Sequence, residues 1–125
     1  MTSTGSILSM VESYLKLATS REQLISANMA NIDTPGYRTR DINFQSELSR
    51  AISSPLMQTG DGSGTAQLLP VIWQVPGLME RPDGNNVNLD REGLLLAETQ
   101  LQYQLGIQLL KDKFHQQLNA INGGS

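Results

Sequence analysis

Asn28–Phe44 reads NMANIDTPGYRTRDINF, and the fold turns on how this stretch is read. A long helical pattern enters it and an extended segment leaves it. Pro35 biases Thr34 away from the helical region, which predicts a helix end near Asn31 to Asp33. Thr34-Pro35-Gly36-Tyr37 fits a type II turn, with proline presetting φ at the second position and glycine supplying positive φ at the third. Asn28 and Asn31 lie three apart at the helix end. Their amides suit local capping of terminal carbonyls and suit contact with another subunit, and the sequence leaves both open.

Upstream, apolar residues recur at helical spacing from Ile7 to Ile32. Leu8, Val11, Leu15, Ala18, Glu22, Ile25, Met29 and Ile32 step by three and four, and only Glu22 breaks the seam. Tyr14, Leu17 and Leu24 widen it. Ser3 or Ser6 is a candidate cap for the helix start. At about 1.5 Å per residue the helix is roughly 38 Å long, long for a compact globule and natural for a coiled-coil-like pairing with another helix.

Downstream, Tyr37–Phe44 reads as extended, and Ser46–Ser53 as a short helix. Between Ser53 and Asn86 stand four of the five prolines and five of the eleven glycines, so no long helix runs through. Gly60–Gly64 reads as a flexible tip whose glycines match no phosphate-binding spacing. Leu68–Val75, with Trp73, is the one strand candidate, and Pro70 confines it to an edge or a short ribbon. Asp83, Asn85 and Asn86 hint at a calcium loop. Val87 then falls at a ligand position and Asn88 where glycine is required, so turn chemistry explains them better. Asp90 suits a helix cap, and a second long helix is expected to about Ile121. Leu96, Tyr103, Ile107, Leu110, Phe114, Leu118 and Ile121 form its stripe, broadened by Leu101, Leu105 and Leu109.

The expected organisation is mainly α. A flexible start (1–5) precedes an N-terminal helix (6–33). A turn, extended arm and short helix follow (34–52), then a Gly/Pro-rich region with at most a short β ribbon (53–89). A C-terminal helix (90–122) and a short tail (123–125) complete the chain. The two end helices are expected to form an antiparallel, coiled-coil-like pair, with packing on Leu8, Val11, Leu15, Ile25, Leu96, Tyr103, Ile107, Leu110, Phe114 and Ile121.

Composition narrows the function classes. The chain has 125 residues, one domain by length, with 38% hydrophobic and 5% aromatic content. Its net charge is −3, and no basic stripe invites nucleic acid. Cysteine is absent, which excludes disulfides and thiolate metal sites. No apolar run approaches the ~20 residues that span a bilayer, and Met1–Met10 lacks the basic start and apolar core of a secretory signal. His115 is the only histidine and reads as a solvated or interface-edge residue. Asp33 and Asp41 flank the turn as a carboxylate pair, balanced by Arg38 and Arg40. No convergent acid, base or nucleophile is legible, and neither an enzyme, a cofactor, a metal nor a small-molecule substrate is expected.

Asn-x-Ala-Asn, Thr-Pro-Gly-Tyr and Arg-Asp-x-x-Phe in succession resemble the signature of the bacterial flagellar rod and hook axial family. Asp83–Asp90, with Leu96-Ala97-Glu98 and Leu101-x-Tyr103-Gln104, is similar to the C-terminal region of its proximal-rod members. The resemblance covers Arg21–Phe44 and Asp83–Ser125, and offers little between Ser53 and Arg81. It implies an assembly motif at Asn28, Ala30, Asn31, Thr34, Pro35, Gly36, Tyr37, Arg40, Asp41 and Phe44. It also implies a structural rod subunit that stacks helically with itself and other rod proteins, next to the MS ring and its adaptor. Torque transmission across the periplasm and export, without a cleaved signal, through the flagellar type III apparatus are further implications. A soluble coiled-coil adaptor or chaperone-like module forming a discrete oligomer is the alternative from a different class.

Overall fold

The computed structural model describes residues 4–53 and 69–123. Helix α1 spans Thr4–Ala30, strand β1 Arg40–Asp41, helix α2 Phe44–Ser53, strand β2 Trp73–Gln74 and helix α3 Leu89–Gly123. The fold is mainly helical, and the two long end helices pack against each other. The Gly60–Gly64 tip lies outside the described residues, as do Ser3 and Leu68.

Local chemistry sets the boundaries. α1 stops where Asn31 donates through Nδ2 to the Ala27 carbonyl at 2.7 Å, satisfying a carbonyl the helix leaves open. The Thr34–Tyr37 turn then closes by Tyr37 N–H to Thr34 O at 3.2 Å. Gly36 sits at φ 74, as the type II geometry requires. α2 is capped by Asn43, whose Oδ1 accepts the Ser46 amide at 3.0 Å. It therefore begins at Phe44, two residues before the sequence pattern suggests. α3 is capped by Asn88 through the Arg91 amide at 3.1 Å, not by Asp90. Asp90 and Glu92 instead occupy the first turn, where carboxylates complement the positive helix end. α1 begins at Thr4, so Ser6 lies inside its first turn.

α1 and α3 run antiparallel in close register. Asn28 stands level with Glu92. Leu15 stands level with Gly106, where a Cβ would meet Leu15 Cδ2 at 2.6 Å and Tyr14 Cδ1 at 3.0 Å. A larger residue there would require Leu15 and Tyr14 to shift.

Among the described residues β1 and β2 form an antiparallel ribbon, with Arg40 opposite Gln74 and Asp41 opposite Trp73. The Val75 amide extends the pairing to Thr39 O at 2.9 Å. Glu47 of α2 fixes the entry to β2. Its Oε1 accepts the Val71 amide at 3.1 Å, and Arg50, paired with its Oε2, donates to Leu69 O at 2.9 Å.

Among the described residues the buried apolar side chains are Leu17, Ala18, Ile25, Ile42 and Val87. Asn28, Thr39, Asp41, Glu47, Asn85, Asn86, Glu92 and Thr99 are buried with them. A core so polar needs near-complete hydrogen bonding, because an unmet buried polar group costs about 1–3 kcal/mol. That demand explains the site described next.

Candidate assembly site

Asn28 is almost fully buried near the C-terminal end of α1, and its amide makes four hydrogen bonds. Nδ2 donates to Arg40 O at 2.9 Å and to Glu92 Oε2 at 3.1 Å. Oδ1 accepts from the Tyr37 hydroxyl at 2.9 Å and from the Arg40 amide at 3.1 Å. The side chain thus meets both backbone groups of Arg40, as a neighbouring strand would, while holding the first turn of α3. One residue ties together α1, the turn, β1 and α3.

Two turns interlock beside it. Gly36 N–H donates to Asp83 O at 2.9 Å, and the Asn86 amide donates to Tyr37 O at 3.3 Å. Gly84, at φ 88, packs so closely that a Cβ on it would lie 3.3 Å from the Gly36 Cα. Asn85 is fully buried. Its Nδ2 donates to Asn31 O and to Thr34 O, both at 2.9 Å, while its Oδ1 accepts the Val87 amide at 2.8 Å. Asn86 Oδ1 accepts the Thr39 amide at 2.7 Å. Residues 83–86, read from sequence as a turn, are therefore the clasp that locks the Thr34–Tyr37 turn.

Alternating charges brace the outer side of the junction. Arg21 grips Asp41 bidentately, with Nε and one terminal nitrogen each 3.1 Å from a carboxylate oxygen. Arg91 reaches the same carboxylate at 3.4 Å and Glu92 Oε1 at 2.8 Å. Two cations and two carboxylates neutralise one another, which makes their burial tolerable. Asp41 is thus balanced by Arg21 and Arg91. Arg38 and Arg40 do not share that role, since Arg38 pairs with Glu80 at 3.3 Å and bonds Gly84 O at 3.2 Å.

No family model matches the chain. It is 32% identical over 126 residues to the flagellar basal body rod protein FlgB of Salmonella typhimurium (strain LT2), covering 89% of each chain. Identity to FlgB of Escherichia coli (strain K12) is 33% over 123 residues, again 89% of each. Identity to FlgB of Cereibacter sphaeroides is 32% over 114 residues, covering 87% of this chain and 88% of that one. The chain belongs to the FlgB family of flagellar basal body rod proteins.

In this FlgB-family chain the motif residues divide by environment. Asn28 and Asp41 are buried, and Asn31 and Tyr37 are half-buried. Half-buried Phe44 packs edge-on against Tyr14 with ring centroids 5.3 Å apart. Ala30, Thr34, Pro35, Gly36 and the Arg40 side chain are exposed. The structure brings Asn28, Tyr37, Arg40 and Asp41 into one network with Glu92. Asn31 caps locally and accepts the Thr34 hydroxyl at 2.9 Å, whereas Asn28 bonds across the fold within the same chain. Of the stripe residues, Ile25 is buried, and Leu8, Val11, Leu15, Leu96, Ile107 and Leu110 are half-buried. Tyr103, Phe114 and Ile121 are exposed.

Arg21, Arg91 and Gly106 escape sequence reading. Glu92 is legible as a first-turn carboxylate, but its partner sits 64 residues away. Gly106 gives a better signal, because an isolated glycine inside a helical pattern calls for a packing reason.

Beside the junction an open cleft of about 610 Å³ lies between the ribbon, the start of α2 and α3. Arg21, Asp41 and Arg91 line it with their charges already paired, alongside Phe44, Trp73 and Gln102. No group of three or more His, Asp or Glu side chains that could hold a metal occurs among the described residues. Within them, no helix is long and apolar enough to cross a membrane. His115 is exposed on α3. The hydrogen bonds of Asn28 tie the arm at Arg40 to both long helices.

Proposed function

We propose that this chain is a structural, non-enzymatic subunit of the proximal rod, assembling helically with itself and other rod proteins to carry motor torque toward the hook. The observation that supports assembly is the apolar face α1 leaves uncovered on α3, with Tyr103, Phe114, Leu118 and Ile121 all exposed. Apolar residues spaced along one helix over several turns fit a further helix better than water. In this reading the Asn28 junction holds the arm at a fixed angle, so that the turn and arm meet neighbouring subunits while the helices form the tube. The MS ring and its adaptor are the expected partners at one end. Export proceeds unfolded through the flagellar type III apparatus into the periplasm, without a cleaved signal. A density map of basal bodies purified from the source strain tests the proposal. The expected result is this chain in a helical layer next to the MS ring. Its absence from the rod, with the purified chain sedimenting as a discrete small oligomer, overturns the reading.

A further inference from the structure

α3 carries a second apolar stripe, on the side turned away from α1. At about 100° per residue, Leu94, Leu101 and Leu105 fall within roughly 40° of one another, opposite the buried Glu92, Thr99 and Gly106. They are 70%, 67% and 55% exposed. This face is distinct from that of Tyr103, Phe114 and Ile121, which continues the α1-facing side.

The flanking charge is one-sided. Asp90, Glu98 and Asp112 are exposed along this stripe. The one arginine beside it, Arg91, is committed to Asp41 and Glu92. Lys111 and Lys113 project about 100° to either side of the stripe's centre. A second copy presenting the same face would bring acid against acid, which is costly, and the cations its α1 could offer instead are already engaged, Lys16 with Glu12 and Arg21 with Asp41. The acidic rim equally disfavours an anionic lipid surface.

We infer that the Leu94–Leu101–Leu105 face of α3 docks an amphipathic helix of a different protein, whose apolar stripe is flanked by Lys or Arg. This rests on the rod reading and adds to it that this contact is heterotypic and selected by charge. Leucines supply the buried area, while the rim disfavours another copy at this one face and chooses the partner.

The test uses the full chain and two designed helical peptides with identical leucine seams, one flanked by lysine and the other by glutamate. Fluorescence anisotropy is expected to show the lysine peptide binding at least tenfold tighter, with the difference shrinking as salt rises. The double variant Glu98→Lys, Asp112→Lys should invert that preference, and Leu101→Ser should weaken binding of both with unchanged circular dichroism. Equal affinity for the two peptides, or no binding of either, overturns the inference. So does sedimentation showing that the chain self-associates through Leu101. In a strain lacking its own copy of the gene, the wild-type chain should restore swimming and the charge-reversed double variant should not. Rescue by both overturns the charge-selected partner and leaves the rod reading standing. Rescue by neither overturns the rod reading itself.

Discussion

Asn28 Nδ2 lies 3.1 Å from Glu92 Oε2, joining the end of one long helix to the first turn of the other across 64 positions of sequence. Both side chains are almost fully buried. The same amide nitrogen also reaches Arg40 O at 2.9 Å, so helix pairing and arm placement depend on a single side chain.

Replacing Asn28 by alanine should therefore cost far more than its size suggests. The change removes four hydrogen bonds, leaving the part-buried Arg40 amide and carbonyl unmet and the buried Glu92 without its amide donor. We expect a loss of about 3 kcal/mol or more, since each buried group left unsatisfied costs about 1–3 kcal/mol. Urea unfolding followed by circular dichroism checks this. A midpoint shift worth less than about 1 kcal/mol would show that water replaces the amide.

Gly36→Val tests the turn alone. A Cβ at Gly36 meets nothing within 4 Å, so any penalty comes from the backbone at φ 74. A β-branched residue resists that region, and about 1–3 kcal/mol of strain is expected. The helices should persist by circular dichroism while the arm is redirected and motility falls, with export unchanged. Normal swimming by a strain carrying only this variant would count against the role given to the turn.

Gly106→Val should separate the helices instead. Valine gains little in helix propensity over glycine, and its Cβ collides with Leu15 and Tyr14. Overpacking of this kind costs about 1–3 kcal/mol. Leu15→Ala in the same chain should recover part of the loss by opening the space, and a double-mutant cycle measures how much. Strict additivity would place the clash elsewhere.

Hydrogen exchange on the free chain should be uneven. Within the two long helices the buried residues fall between Leu17 and Asn28 and between Glu92 and Gly106, whereas Phe114, Leu118 and Ile121 are exposed. Protection should be strongest around Asn28 and Glu92 and decay along α3 toward Ile121, because local opening follows local contact density. Uniform slow exchange over all of Leu89–Gly123 would show that α3 needs no neighbour to complete its order.

His115→Ala should leave export, stability and swimming unchanged, because the side chain is exposed and in no described bond with the junction. Loss of swimming with normal export and stability would give His115 a role that neither packing nor the junction explains.

The sequence by itself determined the parts that obey local rules. Apolar spacing in three and four marks α1 and α3, because helix periodicity needs no knowledge of a partner. Pro35 and Gly36 mark the turn, since their φ preferences belong to the residues themselves. The concentration of proline and glycine between Ser53 and Asn86 argues against a third long helix there, because neither residue suits a helix interior. The tertiary structure decided which polar residues meet. Asn28 reads equally well as a local cap or an intersubunit contact, and only the packing of α1 against α3 brings it to Glu92. Asp41 looks balanced by the adjacent arginines, yet Arg38 faces Glu80 while Arg21 and Arg91 arrive from the two helices. Asn85 and Asn86 read as turn residues, but that they bond the Thr34–Tyr37 turn and Thr39 shows only once those segments lie together. In each case a hydrogen bond or ion pair acts over about 3 Å in space and is indifferent to sequence separation. Such a partnership becomes legible only once the chain has folded back on itself.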